Sequence, residues 1–185
     1  MNAFLAINYA RNWDDFTAAM RDYIGPSQNF VFADRAGNIG YFGPGRIPVR
    51  ARGDGTTPVP GWTDTYAWTG WIPFEKLPHA YNPADGYVVT ANNKVVPDDY
   101  PYFITTDWAP PYRAERIVEL LTAKKGLTPD DYARIQGDQT SAQARELLPF
   151  MLNVAPETPE QTQAIEMLKA WDAVIAPDSG AAAVY

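Results

Sequence analysis

The 185-residue chain predicts an α+β fold, with antiparallel β-strands and hairpins first and short helices after them. Three observations carry that expectation. Eleven of the 17 prolines fall between Pro44 and Pro111, in a stretch also rich in Gly, Trp and Tyr. Proline fixes φ and removes a ladder donor, so this stretch should hold short strands and ordered loops. Two β-rich runs, 28–33 and 38–42, flank Asp34-Arg35-Ala36-Gly37, the signature of a hairpin closed by a four-residue turn. From Arg113 onward, apolar residues recur at helical spacing behind Thr-Pro capping signals.

Taken in order, residues 12–23 predict a helix. Asn12 can cap it, Asp14 and Asp15 suit its positive end, and Phe16, Met20 and Tyr23 share a face before Gly25-Pro26 ends it. After the hairpin, residues 46–50 alternate, with Pro48 marking an edge or a strand start. A further strand pair is expected around 66–68 and 71–74. Residues 86–91 make the most convincing strand, ending abruptly at Asn92-Asn93. Helices are expected over 113–124, after Thr128-Pro129, over 142–152 with a kink or stop at Pro149, and after Thr158-Pro159. Residues 179–185 read as the first turn of another. The organisation that follows is a β-rich part over 1–112 with one N-terminal helix and a helical part over 113–185, together a partial domain of a larger protein.

Composition excludes several functions. With 15 Lys+Arg against 22 Asp+Glu, a net charge of −7 and a pI near 4.6, there is no basic footprint for nucleic acid. No run approaches the roughly 18 consecutive apolar residues of a membrane span. The absence of cysteine removes disulfides, thiolate metal sites and a thiol nucleophile, and the one histidine, His79, cannot build a multi-histidine cage. His79 lies in a proline-bounded segment with no Ser or Cys beside it, which favours a solvated loop residue over a general base. Asp14-Asp15 and Asp130-Asp131 stand at helix starts, where carboxylates belong; Asp98-Asp99 follows Pro97 in a loop and is more open to a site role. The amino terminus lacks the basic region and long apolar stretch of an export signal.

One string bears chemistry. A strand that delivers Asn92-Asn93 at its end can turn one carboxamide to a cleft while the other fastens the loop, because successive side chains on extended backbone point oppositely. An asparagine amide facing a cleft suits a developing oxyanion. Two asparagines equally well make a turn.

Several spaced strings resemble the penicillin acylase (penicillin amidase) family. They are Pro26-Ser27-Gln28-Asn29-Phe30-Val31-Phe32-Ala33-Asp34, Gly37-Asn38-Ile39-Gly40-Tyr41, Gly45-Arg46-Ile47-Pro48, Val59-Pro60-Gly61-Trp62, Trp68-Thr69-Gly70 with Ile72-Pro73-Phe74, Val89-Thr90-Ala91-Asn92-Asn93, and Asp98-Asp99-Tyr100-Pro101 through Pro111-Tyr112-Arg113-Ala114-Glu115-Arg116-Ile117. The resemblance implies a piece of a four-layer αββα N-terminal-nucleophile hydrolase sandwich. It implies an amidohydrolase in which an amino-terminal serine, with its own α-amino group as base, forms an acyl-enzyme from amides of hydrophobic acyl groups, including β-lactams and acyl-homoserine lactones. By that resemblance Asn92 is the oxyanion-hole asparagine and Arg113 an arginine that orients it.

The nucleophile is not matched, since Ser27, Ser141 and Ser179 are internal and align with no nucleophile position. The 185 residues are thus expected to be inactive alone, to lean on remaining segments of a parent acylase, and to self-associate through uncovered apolar surface. The resemblance allows calcium in the parent but assigns no ligand here; no cofactor is expected, and a periplasmic or secreted setting is what the family suggests. The alternative is a noncatalytic module in which aromatics between Trp62 and Tyr112 form a ligand platform. That reading needs several of them exposed on one face, whereas the acylase reading needs most of them buried and Asn92 facing a cleft.

Overall fold

A computed structural model describes residues 2–185; Met1 lies outside them. The chain divides into two compact units, one ending at Ala109 and the other running from Pro110 to Tyr185. Mixed helices and antiparallel strands make it α+β.

The first unit begins with α1 (Asn2–Ile7) and α2 (Trp13–Met20). Asn12 caps α2 as its composition predicts, its Oδ1 accepting from the Asp15 N–H at 2.8 Å. Phe16, Ala19 and Met20 are the buried face of that helix, and Tyr23 is buried just beyond it. The predicted hairpin forms between β1 (Phe30–Ala33) and β2 (Ile39–Phe42), with Phe30 opposite Phe42 and Ala33 opposite Ile39. Asp34 fastens the turn by accepting from the N–H groups of Ala36 and Asn38, and Gly37 supplies the left-handed φ of 87°.

Strands β3 (Pro48–Arg50) and β4 (Trp68–Trp71) form a separate two-stranded sheet, and Pro48 does open its strand. The expected pairing of 66–68 with 71–74 does not occur. Residues 68–71 are one strand whose partner is β3, and 3-10 turns flank it at Asp64–Tyr66 and Phe74–Lys76. His79 is not in a loop. It opens β5 (His79–Tyr81), which pairs with β2 to give the sheet order β1-β2-β5. Its Nδ1 lies 2.7 Å from the Leu77 carbonyl oxygen, and its ring stacks on Phe42.

The core of this unit joins Phe16 and Met20 of α2 to Phe42, Ile72 and Leu77. The Trp13 indole packs against it, 5.0 Å from the Tyr81 ring and 5.6 Å from those of Phe16 and Phe32. Gly40 makes room for that indole: a Cβ there would sit 2.3 Å from Trp13 Cζ3.

The strand expected over 86–91 is absent from the ladders. These residues run without strand pairing, because no neighbouring strand among the described residues offers them a register. Apolar, β-branched composition alone does not make a strand; the ladder does.

The second unit is helical: α3 (Tyr112–Thr122), α4 (Pro129–Gln136), α5 (Ala142–Met151), α6 (Pro159–Lys169) and α7 (Gly180–Val184). Thr128 and Asp131 form a reciprocal capping box at α4. Asp131 also receives Lys124 and Arg134, and these donors hold its carboxyl well below the usual range. Pro149 removes one N–H from α5, which ends two residues later at Met151. Arg116 of α3 grips Asp138 with two hydrogen bonds, Nε to Oδ1 at 2.9 Å and Nη2 to Oδ2 at 2.7 Å. No helix among the described residues is long and apolar enough to cross a membrane.

Candidate active site

Asn92 stands in the left-handed region with φ 63°. Asparagine tolerates that conformation far better than other side chains that carry a Cβ. The backbone around it is tied on both sides. The Asn92 carbonyl accepts from the Ala109 N–H at 2.9 Å, and Asn93 Oδ1 accepts from the Ala91 N–H at 3.0 Å. Asn93 is therefore the loop fastener. What separates the two carboxamides is a left-handed residue, and not the alternation of a strand, which these residues do not adopt.

Asn92 lines a cavity of about 240 Å³ within the first unit. Its polar wall also carries Ser27, Gln28, Asn29, Tyr41, Thr105 and Asp107, and its apolar lining includes Ile47, Val95, Ile104 and Trp108. Polar groups make up about half of that wall, more than most small-molecule sites carry. Tyr41 is buried and donates its hydroxyl to Asn29 Oδ1 at 2.6 Å; burial pushes the phenol up to about 12. The backbone after β2 is fitted closely to these groups. A Cβ on Gly43 would lie 2.9 Å from the Tyr41 hydroxyl, and one on Gly45 would lie 2.2 Å from Ser27 Oγ. Just before Asn92, the Thr90 hydroxyl is buried with no hydrogen-bond partner among the described residues.

Arg113 is the second residue of α3, in the second unit, and is exposed. Asp98 sits in an exposed turn and pairs with Lys94, which lowers its carboxyl pKa. Among the described residues no group of three or more His, Asp or Glu is placed to hold a metal ion.

The aromatic stretch is not mostly buried. Trp62 is 86% exposed, Trp68 60% and Trp71 45%. The register slips between Val49 and Arg50, so that Thr69 is the extra residue of β4. A bulge of that kind shifts the alternation by one and turns Trp68 and Trp71 to the same side, ring centroids 5.4 Å apart.

The contribution of Asn29, Tyr41 and Gly43 to the cavity was not read from the sequence. Gly43-Pro44-Gly45 lacks any phosphate-loop pattern, and that observation hid the other use of glycine, close approach of neighbouring side chains.

This fold and sequence have clear relatives. The chain is 43% identical to penicillin acylase 2 proenzyme of Pseudomonas sp. (strain SE83) over 163 residues, covering 85% of this chain and 20% of that protein. It is 34% identical over 200 residues to the acyl-homoserine lactone acylase QuiP of Pseudomonas fluorescens (strain Pf0-1), covering 100% of this chain and 24% of the relative. Among solved structures it matches the thermostable penicillin G acylase from Alcaligenes faecalis with a TM-score of 0.72 at 30% identity, over 96% of this chain and 33% of that one. The penicillin amidase family matches residues 1–185, and the chain belongs to that family. It spans only a fifth to a quarter of the length of these curated relatives, 20% and 24%.

Proposed function

We propose that these residues are a working segment of a penicillin-acylase-type amidohydrolase acting on amides of hydrophobic acyl groups, of the β-lactam or acyl-homoserine lactone kind. The serine nucleophile lies on polypeptide outside the 185 residues. Its Oγ attacks the amide carbonyl, its α-amino group takes the proton and passes it to the leaving amine, and water then releases the carboxylic acid from the acyl-enzyme. Asn92 donates its side-chain N–H to the oxyanion, and Arg113 keeps the supporting role that the family resemblance gives it. Family membership supports the reaction class. The observation that carries the assignment to this chain is the position of Asn92, on a left-handed turn at the wall of a partly polar cavity.

The test is Asn92→Ala in the full-length gene product, with a phenylacetyl anilide as substrate. Loss of one oxyanion donor should lower kcat by roughly 10²–10³. Unchanged kcat would refute the role. The 185 residues alone should give no turnover, since an oxyanion donor without a nucleophile has no tetrahedral intermediate to stabilise.

The same-side exposure of Trp68 and Trp71 favours one second reading, an aromatic ligand platform. Ligand-induced quenching of tryptophan emission that is lost in Trp68→Ala, with no dependence on Asn92, would support it.

A further inference from the structure

A second carboxamide shares the cavity with Asn92. Asn29 precedes β1, is exposed, and lines the same hollow. Unlike most exposed carboxamides, it is held. The Tyr41 hydroxyl, on the neighbouring strand β2, donates to Asn29 Oδ1 at 2.6 Å. Tyr41 itself is buried, 8% exposed, and its hydroxyl approaches the backbone at Gly43, where a Cβ would intrude to 2.9 Å. A carboxylate or carbonyl in place of the Asn29 oxygen would accept this bond equally well; a donor would not. A phenol is protonated across the neutral range, and burial, which raises this one to about 12, favours the donor form further.

An amide whose oxygen is engaged by a fixed donor has one end left for chemistry, its NH₂ group. We propose that Asn29 is a substrate-contacting residue whose Nδ2 donates to an acceptor oxygen of the bound N-acyl amide, and that Tyr41 is the residue that positions it. This rests on the amidohydrolase reading of the cavity. The contact is made in ground and transition states alike, so it acts on substrate binding more than on the chemical step. Gly43 belongs to the device because a side chain there would displace the Tyr41 hydroxyl.

The experiment is steady-state kinetics on the full-length gene product with a phenylacetyl anilide, plus inhibition by phenylacetate as a binding probe. Asn29→Ala should raise KM and the inhibition constant about tenfold while kcat stays within about twofold, the size of one lost hydrogen bond. Asn29→Asp keeps the acceptor for Tyr41 but removes the donor, and should be at least as impaired as Asn29→Ala. Tyr41→Phe should raise KM about threefold in the parent and have no further effect in the Asn29→Ala background. A Tyr41→Phe effect of equal size in both backgrounds would overturn the positioning role, as would Asn29→Asp with parental KM. Should Tyr41→Phe fail to accumulate, the two Asn29 variants decide, since that side chain is exposed. Failure of the underlying reading looks different: Asn92→Ala would then retain its kcat. Silent Asn29 variants beside an inactive Asn92→Ala would overturn only the present inference.

Discussion

Gly40→Ala tests how tightly the sheet is fitted to α2. The added Cβ would stand 2.3, 2.8 and 2.9 Å from Cζ3, Cε3 and Cη2 of Trp13, where ordinary carbon contacts need about 3.5 Å or more. The indole would have to retreat by about 1 Å, against the rings packed on it. Tyr81 stacks on it at 5.0 Å, and Phe16, Phe32 and Phe42 surround it at 5.6 to 6.4 Å. Overpacking of this kind costs roughly 1–3 kcal/mol. Replacing glycine in a strand returns about 0.5–1 kcal/mol by restricting the unfolded chain. The net expectation is a loss of about 1–2 kcal/mol. Gly70 provides the internal control. It also lies within a strand, but a Cβ there meets nothing within 4 Å, so Gly70→Ala should be neutral or gain about 0.5 kcal/mol. Urea unfolding monitored by near-ultraviolet circular dichroism would compare the two. Equal midpoints for Gly40→Ala and Gly70→Ala would refute the claim that the Trp13 ring fixes the identity of residue 40.

Two further predictions concern single groups. The Asp138 carboxyl is lowered to about 2, chiefly by its hydrogen bonds from Arg116, with burial opposing. A depressed folded-state pKa means the stabilisation is fully present above the ordinary carboxylate range and is lost as pH falls through about 2. After screening by solvent it is worth about 1 kcal/mol. Asp138→Asn should therefore be less stable than the parent at pH 6 and converge with it at strongly acid pH; urea midpoints that differ equally at both would contradict this. Thr90→Val removes a buried hydroxyl that has no partner among the described residues. It should leave stability unchanged or raise it by up to about 1 kcal/mol, and a loss of more than that would mean the hydroxyl is satisfied.

Local chemistry was legible in the string, and non-local pairing was not. The α2 cap at Asn12, the capping box at Thr128 and Asp131, and the hairpin turn at Asp34-Gly37 are each decided within five residues, and each formed. The failures all needed a distant partner. His79 looks like loop because prolines bound it, yet it joins β2 across 37 positions, opposite Phe42. Residues 86–91 look like a strand because they are apolar and β-branched, yet they belong to neither sheet. The exposure of Trp68 and Trp71 depends on one extra residue opposite β3, which alternation counted along the chain cannot reveal. At the candidate site, the Asn92-Asn93 string stands out as local chemistry and Asn92 lines the cavity, but the Tyr41-to-Asn29 bond joins residues twelve apart beside a glycine, Gly43, whose purpose is spatial.

On the proposed function Asn92 would meet two demands at once, and separating them gives a sharper test than removal of the side chain alone. The backbone demand is a φ of 63°, which costs most residues with a Cβ about 1 kcal/mol or more and costs glycine nothing. The chemical demand is an amide at the cavity wall. Asn92→Ala fails both, so a loss of activity in that variant mixes strain with chemistry. Asn92→Gly satisfies the backbone fully while deleting the amide. If the residue is asparagine only for the turn, the glycine variant should keep its kcat. If the amide contacts the oxyanion, the glycine variant should lose roughly 10²–10³ in kcat, close to the loss in Asn92→Ala. Single-turnover rates on folded preparations of both variants separate the two, because glycine relieves the backbone strain that alanine adds and only the missing amide is common to both.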